Sequence, residues 1–488
     1  MCLDGSDAGF YYAAATSPST ETTWQLFFEG GGWCYDELDC WWRAEYRTGS
    51  SRPWGSTARF GGMLSDDCKI NPDFCNVHRV YIKYCDGNSF SGDREEPLEV
   101  EGPNGEVRRL YFRGKKILDA VLDTLLSKMG LASAEDVLLS GCSAGGLAAY
   151  LHADYVHDRL KQAVPGLRKY RVAPVSGFFL RHLTINGKPV YEDQIRYISI
   201  MANSSAGLDQ KCVAAQLPGE YWRCNFADVT YSYIEARIFS LASALDSWHM
   251  KCIYSSDYPL GFPKQKKPGN GNCSAVRKWR SCTHYPEKCA TAEAVSVLNQ
   301  YISDFDSTMQ SAVTYSKAGN GAFVNSCYNH CEAAQDWGWS HITLEGVTMQ
   351  KAFSLWWRTD AVEPASKHSY LPCKYNTDQW PRQCNPTCTE PGGPSSWLSL
   401  RFVVVGVLVL LLQVAACNGQ VRRTCLQLVR RAVHQISPAM IKRSHSSAPD
   451  CNDELVQLAA PTSSNEEVES ELTARIGCPH TGAADKKM

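Results

Sequence analysis

Several things are missing from this 488-residue chain, and each absence removes a class of protein. There is no excess of charge of either sign. Its 49 basic and 51 acidic residues leave a formal net charge of −2, which gives no electrostatic case for nucleic acid as a partner. Paired C-x-x-C sets are missing, and the run from Cys384 to Cys388 has no partner set, so the cysteine spacing points to no metal site. No internal repeat is visible. The opening residues, MCLDGSDAGF, have neither a basic n-region nor an apolar h-region, so no signal peptide can be read.

Cysteine is what the chain has in quantity, 22 in all, with 18 of them before Pro391. Without metal-site spacing, so many thiols are hard to keep in a reducing cytosol, and a disulfide framework in the secretory pathway is the expectation. Two N-glycosylation sequons, at Asn203 and Asn272, agree with it. The missing leader then reads as a chain that starts late, with an N-terminal piece absent.

Residues 1–390 read as one continuous domain in which strand-like runs alternate with helix-period segments, the pattern of α/β architecture. The strands expected are 24–29 (WQLFFE), 77–85 (VHRVYIKYC) and 136–141 (DVLLSG). Helices are expected over 114–129, where apolar residues recur at helical spacing, over 144–160 and over 296–309. A flexible linker follows at 391–397. Residues 398–416 are predominantly apolar and match the roughly 20 residues of one bilayer crossing. Arg422, Arg423, Arg430 and Arg431 follow this candidate transmembrane helix and place its far side in the cytoplasm. A single-pass protein with an outward-facing domain is expected, with a basic, then polar and disordered cytoplasmic tail over 417–488. A buried core helix is the plain alternative for 398–416, and a secreted protein is the alternative for the whole.

The motif with chemical content is Gly141-Cys142-Ser143-Ala144-Gly145, which matches G-x-S-x-G. The bare pattern is weak. Its setting, a short apolar strand before and an amphipathic helix after, is that of the elbow in which a serine oxygen is held above a parallel sheet. Cys142 could be offered as a thiol nucleophile, but the elbow presents its middle residue, Ser143. The plain alternative is an ordinary strand-to-helix turn.

An acyl-transfer serine creates an oxyanion that needs backbone N–H donors at about 3 Å. One would be Ala144, the residue after the nucleophile. The others should come from a glycine-rich loop after an earlier strand, and Glu29-Gly30-Gly31-Gly32 stands in that place, with Gly31 and Gly32 as the best donors. A base and an orienting carboxylate should follow in the order Ser, Asp or Glu, His. Among the histidines, His152 and His157 fall in the helix after the elbow. His182, His249, His284, His330, His341 and His368 all stay open as the base. For the acid, Asp246 follows an apolar segment, and Asp228, Asp304 and Asp336 compete.

Taken together, CLDGS, EGGGWC, YCDG, GCSAGGL, LDSW and NSCYNHC resemble the pectin acetylesterase family, which also holds the Notum-type deacylases. The resemblance spans Cys2 to Cys388 with the motifs in order. It implies an α/β-hydrolase fold: a mostly parallel sheet with helices on both faces, stabilised by disulfides, Cys34 with Cys40 among them. It also implies Asp246 as acid and His330 as base, with His341 lining the pocket. No metal or cofactor is implied.

The activity implied is carboxylic-ester hydrolysis through an acyl-enzyme. The substrate first in line is an O-acetylated pectin-like or other cell-wall polysaccharide. Removal of a longer fatty acyl ester from a secreted protein is the second reading, and a catalytically idle cell-surface binding domain the third. The basic stretch 262–280 is either a contact for an anionic polyuronide or a solvated loop.

Overall fold

The computed structural model describes residues 1–256, 279, 282–283, 286, 289, 291–315, 319–359, 370–372, 385, 387–388 and 453–458. Its strands are β1 (Ala8–Ala13), β2 (Thr23–Phe28), β3 (Thr57–Ala58), β4 (His78–Ile82), β5 (Leu98–Glu101), β6 (Val107–Leu110) and β7 (Asp136–Cys142). They continue with β8 (Lys169–Val175), β9 (Arg237–Ser243), β10 (Gly321–Asn325), β11 (Thr343–Leu344), β12 (Val347–Thr348), β13 (Tyr370–Pro372) and β14 (Asp453–Leu458). Strands β5 and β6 pair with each other, as do β11 and β12.

Ten strands form one sheet in the order β13-β10-β9-β8-β7-β2-β4-β1-β14-β3. From β13 to β4 every pairing is parallel, while β1, β14 and β3 add antiparallel partners at one edge. The mostly parallel α/β architecture expected from the sequence is therefore present. Strand β2 shows why its sequence is a near-continuous apolar run. It is paired on both sides, by β4 and by β7, so neither edge meets water.

Alternation along β2 splits the core into two layers. Trp24, Leu26 and Phe28 join one buried cluster with helices α2 (Gly114–Lys128) and α3 (Ala144–Leu151). Phe27 joins the other, which is filled by Phe239, Phe323 and the helix Met349–Arg358. Helix α2 buries Ile117, Leu118, Val121, Leu122 and Leu125 on one face. Gly130, at φ +90°, ends it with the left-handed turn that glycine adopts at least cost.

Two expectations change. The helix expected over 144–160 is two helices, α3 and α4 (Ala153–Ala163), broken at His152. That ring is fully buried and bonds Phe90 O at 3.0 Å, so a tertiary contact overrides a continuous helical pattern. Residues 453–458, inside the stretch expected to be disordered, form β14 against β1. The linker and the apolar segment 398–416 lie outside the described residues. Among the described residues no helix is long and apolar enough to cross a membrane.

Seven disulfides occur among the described residues: Cys2–Cys85, Cys34–Cys40, Cys68–Cys75, Cys142–Cys331, Cys212–Cys224, Cys282–Cys289 and Cys327–Cys388. They place folding of this chain in an oxidising compartment, the secretory pathway. Of the sequons, Asn203 is exposed, with its Nδ2 donating to Asp93 O at 3.3 Å, whereas Asn272 lies outside the described residues.

Candidate active site

The C-terminal ends of parallel strands point to one end of the sheet, which is where open α/β sheets carry their sites. Four such ends matter here. Gly30, Gly31 and Gly32 follow β2, Ser143 follows β7, Asp246 follows β9 and His330 follows β10. Gly30, Gly31, Gly32, Ser143 and His330 line a single cavity of about 640 Å³.

Ser143 sits at φ +60°, ψ −125°, a backbone region a side chain rarely adopts, between the last residue of β7 and the first of α3. It persists because its surroundings fix it: its N–H donates to Val175 O at 2.9 Å, and its carbonyl accepts from Leu147 N at 2.9 Å. The glycine triplet packs directly on this turn. A Cβ on Gly30 would lie 2.3 Å from Cys142 O and 2.7 Å from Ser143 Cβ. Gly32 has room for a Cβ but sits at φ +62°. One glycine thus serves close approach and another conformation.

The carbonyls of this loop are tied down. Arg43 donates to Gly31 O at 2.8 Å and to Gly32 O at 3.3 Å, and Tyr84 Oη donates to Gly32 O at 2.7 Å. Neither Gly31 nor Gly32 gives its N–H to a backbone acceptor among the described residues. Glu29 anchors the start of the loop, accepting from Lys83 Nζ at 2.6 Å and from Tyr84 N at 2.9 Å. Ala144, the first residue of α3, is fully buried and does not line the cavity.

Asp246 and His330 meet although 84 residues separate them. His330 Nδ1 lies 2.7 Å from Asp246 Oδ2 and 2.9 Å from Oδ1. Backbone N–H groups of Trp248 and His249 also donate to Asp246 Oδ1, at 2.8 and 3.2 Å. Burial alone would push the Asp246 carboxyl up, but the charges of His330 and His249 and these hydrogen bonds outweigh it and hold it below the ordinary aspartate value. Burial likewise pulls His330 down, and the Asp246 carboxylate, aided by Glu332, outweighs burial and leaves the imidazole raised. Glu332, buried two residues further on, is pushed up to about 7 by burial and by the Asp246 charge.

The remaining contact of a serine triad is not closed. His330 Nε2 is buried with no hydrogen-bond partner among the described residues. It belongs to the ring that faces the same cavity as Ser143.

The other candidates fall elsewhere. Asp304 holds His182 Nε2 at 3.0 Å, Asp228 pairs with Arg181, and Asp336 accepts from Gly62 N at 2.7 Å; none of these lines the cavity. His249 is buried against Phe179 and Phe305. His341, which the resemblance placed along the pocket, is exposed, stacked on Trp337 at 4.1 Å and absent from the cavity wall. His284, His368 and almost all of the basic stretch 262–280 lie outside the described residues.

Sequence reasoning missed Arg43, Tyr84 and the bond between Cys142 and Cys331. Only the last left a signal, since a cysteine directly precedes Ser143 and another directly follows His330. The disulfide also removes Cys142 as a thiol nucleophile.

The comparisons with known proteins give the chain its family. The family model described as Pectinacetylesterase matches residues 1–389. Pectin acetylesterase 5 of Arabidopsis thaliana is 31% identical over 393 residues, covering 80% of this chain and 81% of that protein. The palmitoleoyl-protein carboxylesterase NOTUM of Mus musculus is 26% identical over 407 residues, covering 79% and 69%. The crystal structure of the Wnt deacylase Notum from Drosophila superposes with a TM-score of 0.59 at 22% identity, covering 76% of this chain and 96% of that one, a likeness of fold.

Proposed function

The chain belongs to the pectinacetylesterase family and is a carboxylic-ester hydrolase, and from that premise we propose that it removes O-acetyl groups from pectin-like or other cell-wall polysaccharides. The observation that carries the proposal is the pairing of His330 with Asp246 at 2.7 Å on the cavity that Ser143 opens into.

In this reading Ser143 Oγ attacks the ester carbonyl carbon while His330 Nε2 takes its proton. Asp246 holds the imidazole with Nδ1–H inward and stabilises the imidazolium that forms. The oxyanion is met by the N–H groups of Gly31, Gly32 and Ala144. His330 then returns the proton to the sugar oxygen as the C–O bond breaks. Water, deprotonated by the same ring, attacks the acyl-serine and releases acetate. These steps need no metal or cofactor.

The cavity wall suits a sugar ester. Glu29, Arg43, Arg47, Arg59 and Gln194 offer hydrogen-bonding groups for hydroxyls, beside aromatic rings of Trp33, Trp42, Phe60 and Trp248 that offer apolar surface to sugar faces or to an acyl group, so acyl-chain length is what the test must decide. The test is a comparison of acetyl with octanoyl aryl esters, followed by acetate release from acetylated pectin. A strong preference for acetyl, with acetate release, is expected; a strong preference for octanoyl would overturn the acetylesterase reading in favour of a fatty-acyl deacylase. Absence of any turnover would favour the idle binding domain.

For location, we propose that 398–416 anchors the protein. A single crossing there would leave β14 on the opposite side of the membrane from β1, so anchoring as proposed requires β14 to leave the sheet. Release of the chain into the medium only when residues after Pro391 are removed supports the anchor. Release of the full-length chain supports the β1–β14 pairing instead.

A further inference from the structure

Ser143 is preceded by a half-cystine and His330 is followed by one, and the two are bonded to each other. Nothing in the reaction as proposed above uses that bond. We propose that the Cys142–Cys331 disulfide is a positioning element of catalysis: it sets the separation of nucleophile and base, and opening it disables turnover in a molecule that stays folded. The proposal rests on Ser143 and His330 being that pair.

The topology explains why such a brace is needed. Strands β7 and β10 are not neighbours, because β8 and β9 lie between them. At about 4.8 Å per strand their axes are about 14 Å apart, too far for a serine and a histidine at the strand ends to meet. The segment after β10 must therefore fold back across the ends of β9 and β8. It is tied at each step. Ser247 N, beyond β9, donates to Asn329 O at 2.9 Å, and Cys331 N donates to the hydroxyl oxygen of Ser176, beyond β8, at 3.0 Å. The last tie is the covalent one to the end of β7, with the two Cα atoms 5.7 Å apart.

Two of these residues are held in unusual backbone. Cys331 lies at φ +65° and Ser143 at φ +60°. Such a residue keeps its conformation only when its surroundings impose it. The bond joins one of these residues to the immediate neighbour of the other, so a single link restrains both. Hydrogen bonds at 2.9–3.0 Å, as at Asn329 and Ser176, can lengthen by a few tenths of an ångström with thermal motion, whereas a disulfide cannot. Near-attack geometry is sensitive on that scale, with about 10²-fold lost for a 1 Å misplacement.

The bond is also within reach of solvent, since both half-cystines line the cavity. A small dithiol can open it in the usual exchange: the cystine gains two electrons and two protons as two thiols form, and the dithiol closes to its own cyclic disulfide.

The test uses the full chain in three forms: wild type, Ser143→Ala, and the double variant Cys142→Ala with Cys331→Ala. At 25 °C the double variant should lose about 10²-fold in kcat on an aryl acetate with KM unchanged. Brief treatment of wild type with dithiothreitol should lower kcat as Cys142 and Cys331 become alkylatable, reoxidation should restore it, and the double variant should not respond. A folded double variant with wild-type kcat overturns the proposal. If that variant does not fold, the reduction experiment decides alone: full activity in molecules with Cys142 and Cys331 alkylated overturns it. Turnover that survives Ser143→Ala would instead sink the underlying triad, so the two failures are told apart.

Discussion

Around Ser143 backbone packs on backbone. The position a Cβ would take on Gly30 is 2.3 Å from Cys142 O, and on Gly145 it is 2.1 Å from Phe28 O, so β2, its loop and the turn into α3 touch with nothing between them. Around His330 the contacts run through side chains and cystines: Asp246 to the ring, Ser176 to Cys331, Cys327 to Cys388 and Cys331 to Cys142. The first half is rigid because it excludes side chains, and the second because it is cross-linked. One is therefore vulnerable to an added methyl group, the other to a lost bond.

The widest test of this contrast is whether the halves act as one device. Ser143→Ala should lower kcat by about 10⁶-fold, and Ser143→Ala combined with Asp246→Asn should be no worse, because groups that act as a unit are not additive. Asp246→Asn alone should cost about 10⁴-fold in kcat, measured on the same aryl acetate. Two separate multiplicative losses in the double variant would mean the halves are independent.

Gly30→Ala probes the backbone-packed half. With no room for the methyl, the turn must shift, and a loss of about 10²-fold in kcat is expected at little change in KM. Gly32→Ala, where the space is open and only φ is unfavourable, should lose about fivefold, corresponding to about 1 kcal/mol. If the two alanines behave alike, close approach is not what this half depends on.

The smallest effect expected is electrostatic and belongs to the cross-linked half. As the proposed base, His330 has to be neutral to accept the serine proton, and its partners raise its affinity for protons. The acid limb of kcat/KM should therefore have its midpoint above the ordinary histidine value of 6.5, with activity lost as pH falls through it. Glu332 contributes to the raising, so Glu332→Gln should move that midpoint down, measured as the pH profile on aryl acetate. A midpoint that stays put would show that Glu332 carries no charge at the site when His330 titrates.

The same contrast explains what the sequence disclosed. The backbone-packed half is legible because its requirements are local. An apolar strand followed by three glycines, and G-x-S-x-G between strand and helix, are patterns within a dozen residues, and the strands found at Thr23–Phe28 and Asp136–Cys142 lie where these patterns put them. The cross-linked half has no local mark. His182 and Asp304 form an Asp–His pair at 3.0 Å as well, so neither residue type nor pairing singles out His330; only its position on the cavity does. Family resemblance supplied Asp246 and His330, and erred with His341, whose ring turned out to pack on Trp337. Strand β1 escaped notice because it is a short antiparallel addition whose apolar run, Phe10 to Tyr12, is only three residues long, and the break at His152 because its cause, Phe90 O, is 62 residues away.

The anchoring of Gly31 and Gly32 by Arg43 and Tyr84 has a bearing on inhibition. Arg43 ends the helix Glu37–Arg43, which the Cys34–Cys40 cystine closes back onto the segment directly after the glycines, so the helix that carries Arg43 is tied covalently beside the loop that Arg43 holds by hydrogen bonds. In the proposed mechanism, amides held this way would be ordered for a negative oxygen before any ligand arrives. An aryl boronic acid, which becomes tetrahedral and anionic only on bonding to a serine oxygen, should thus bind without first having to order its receptor.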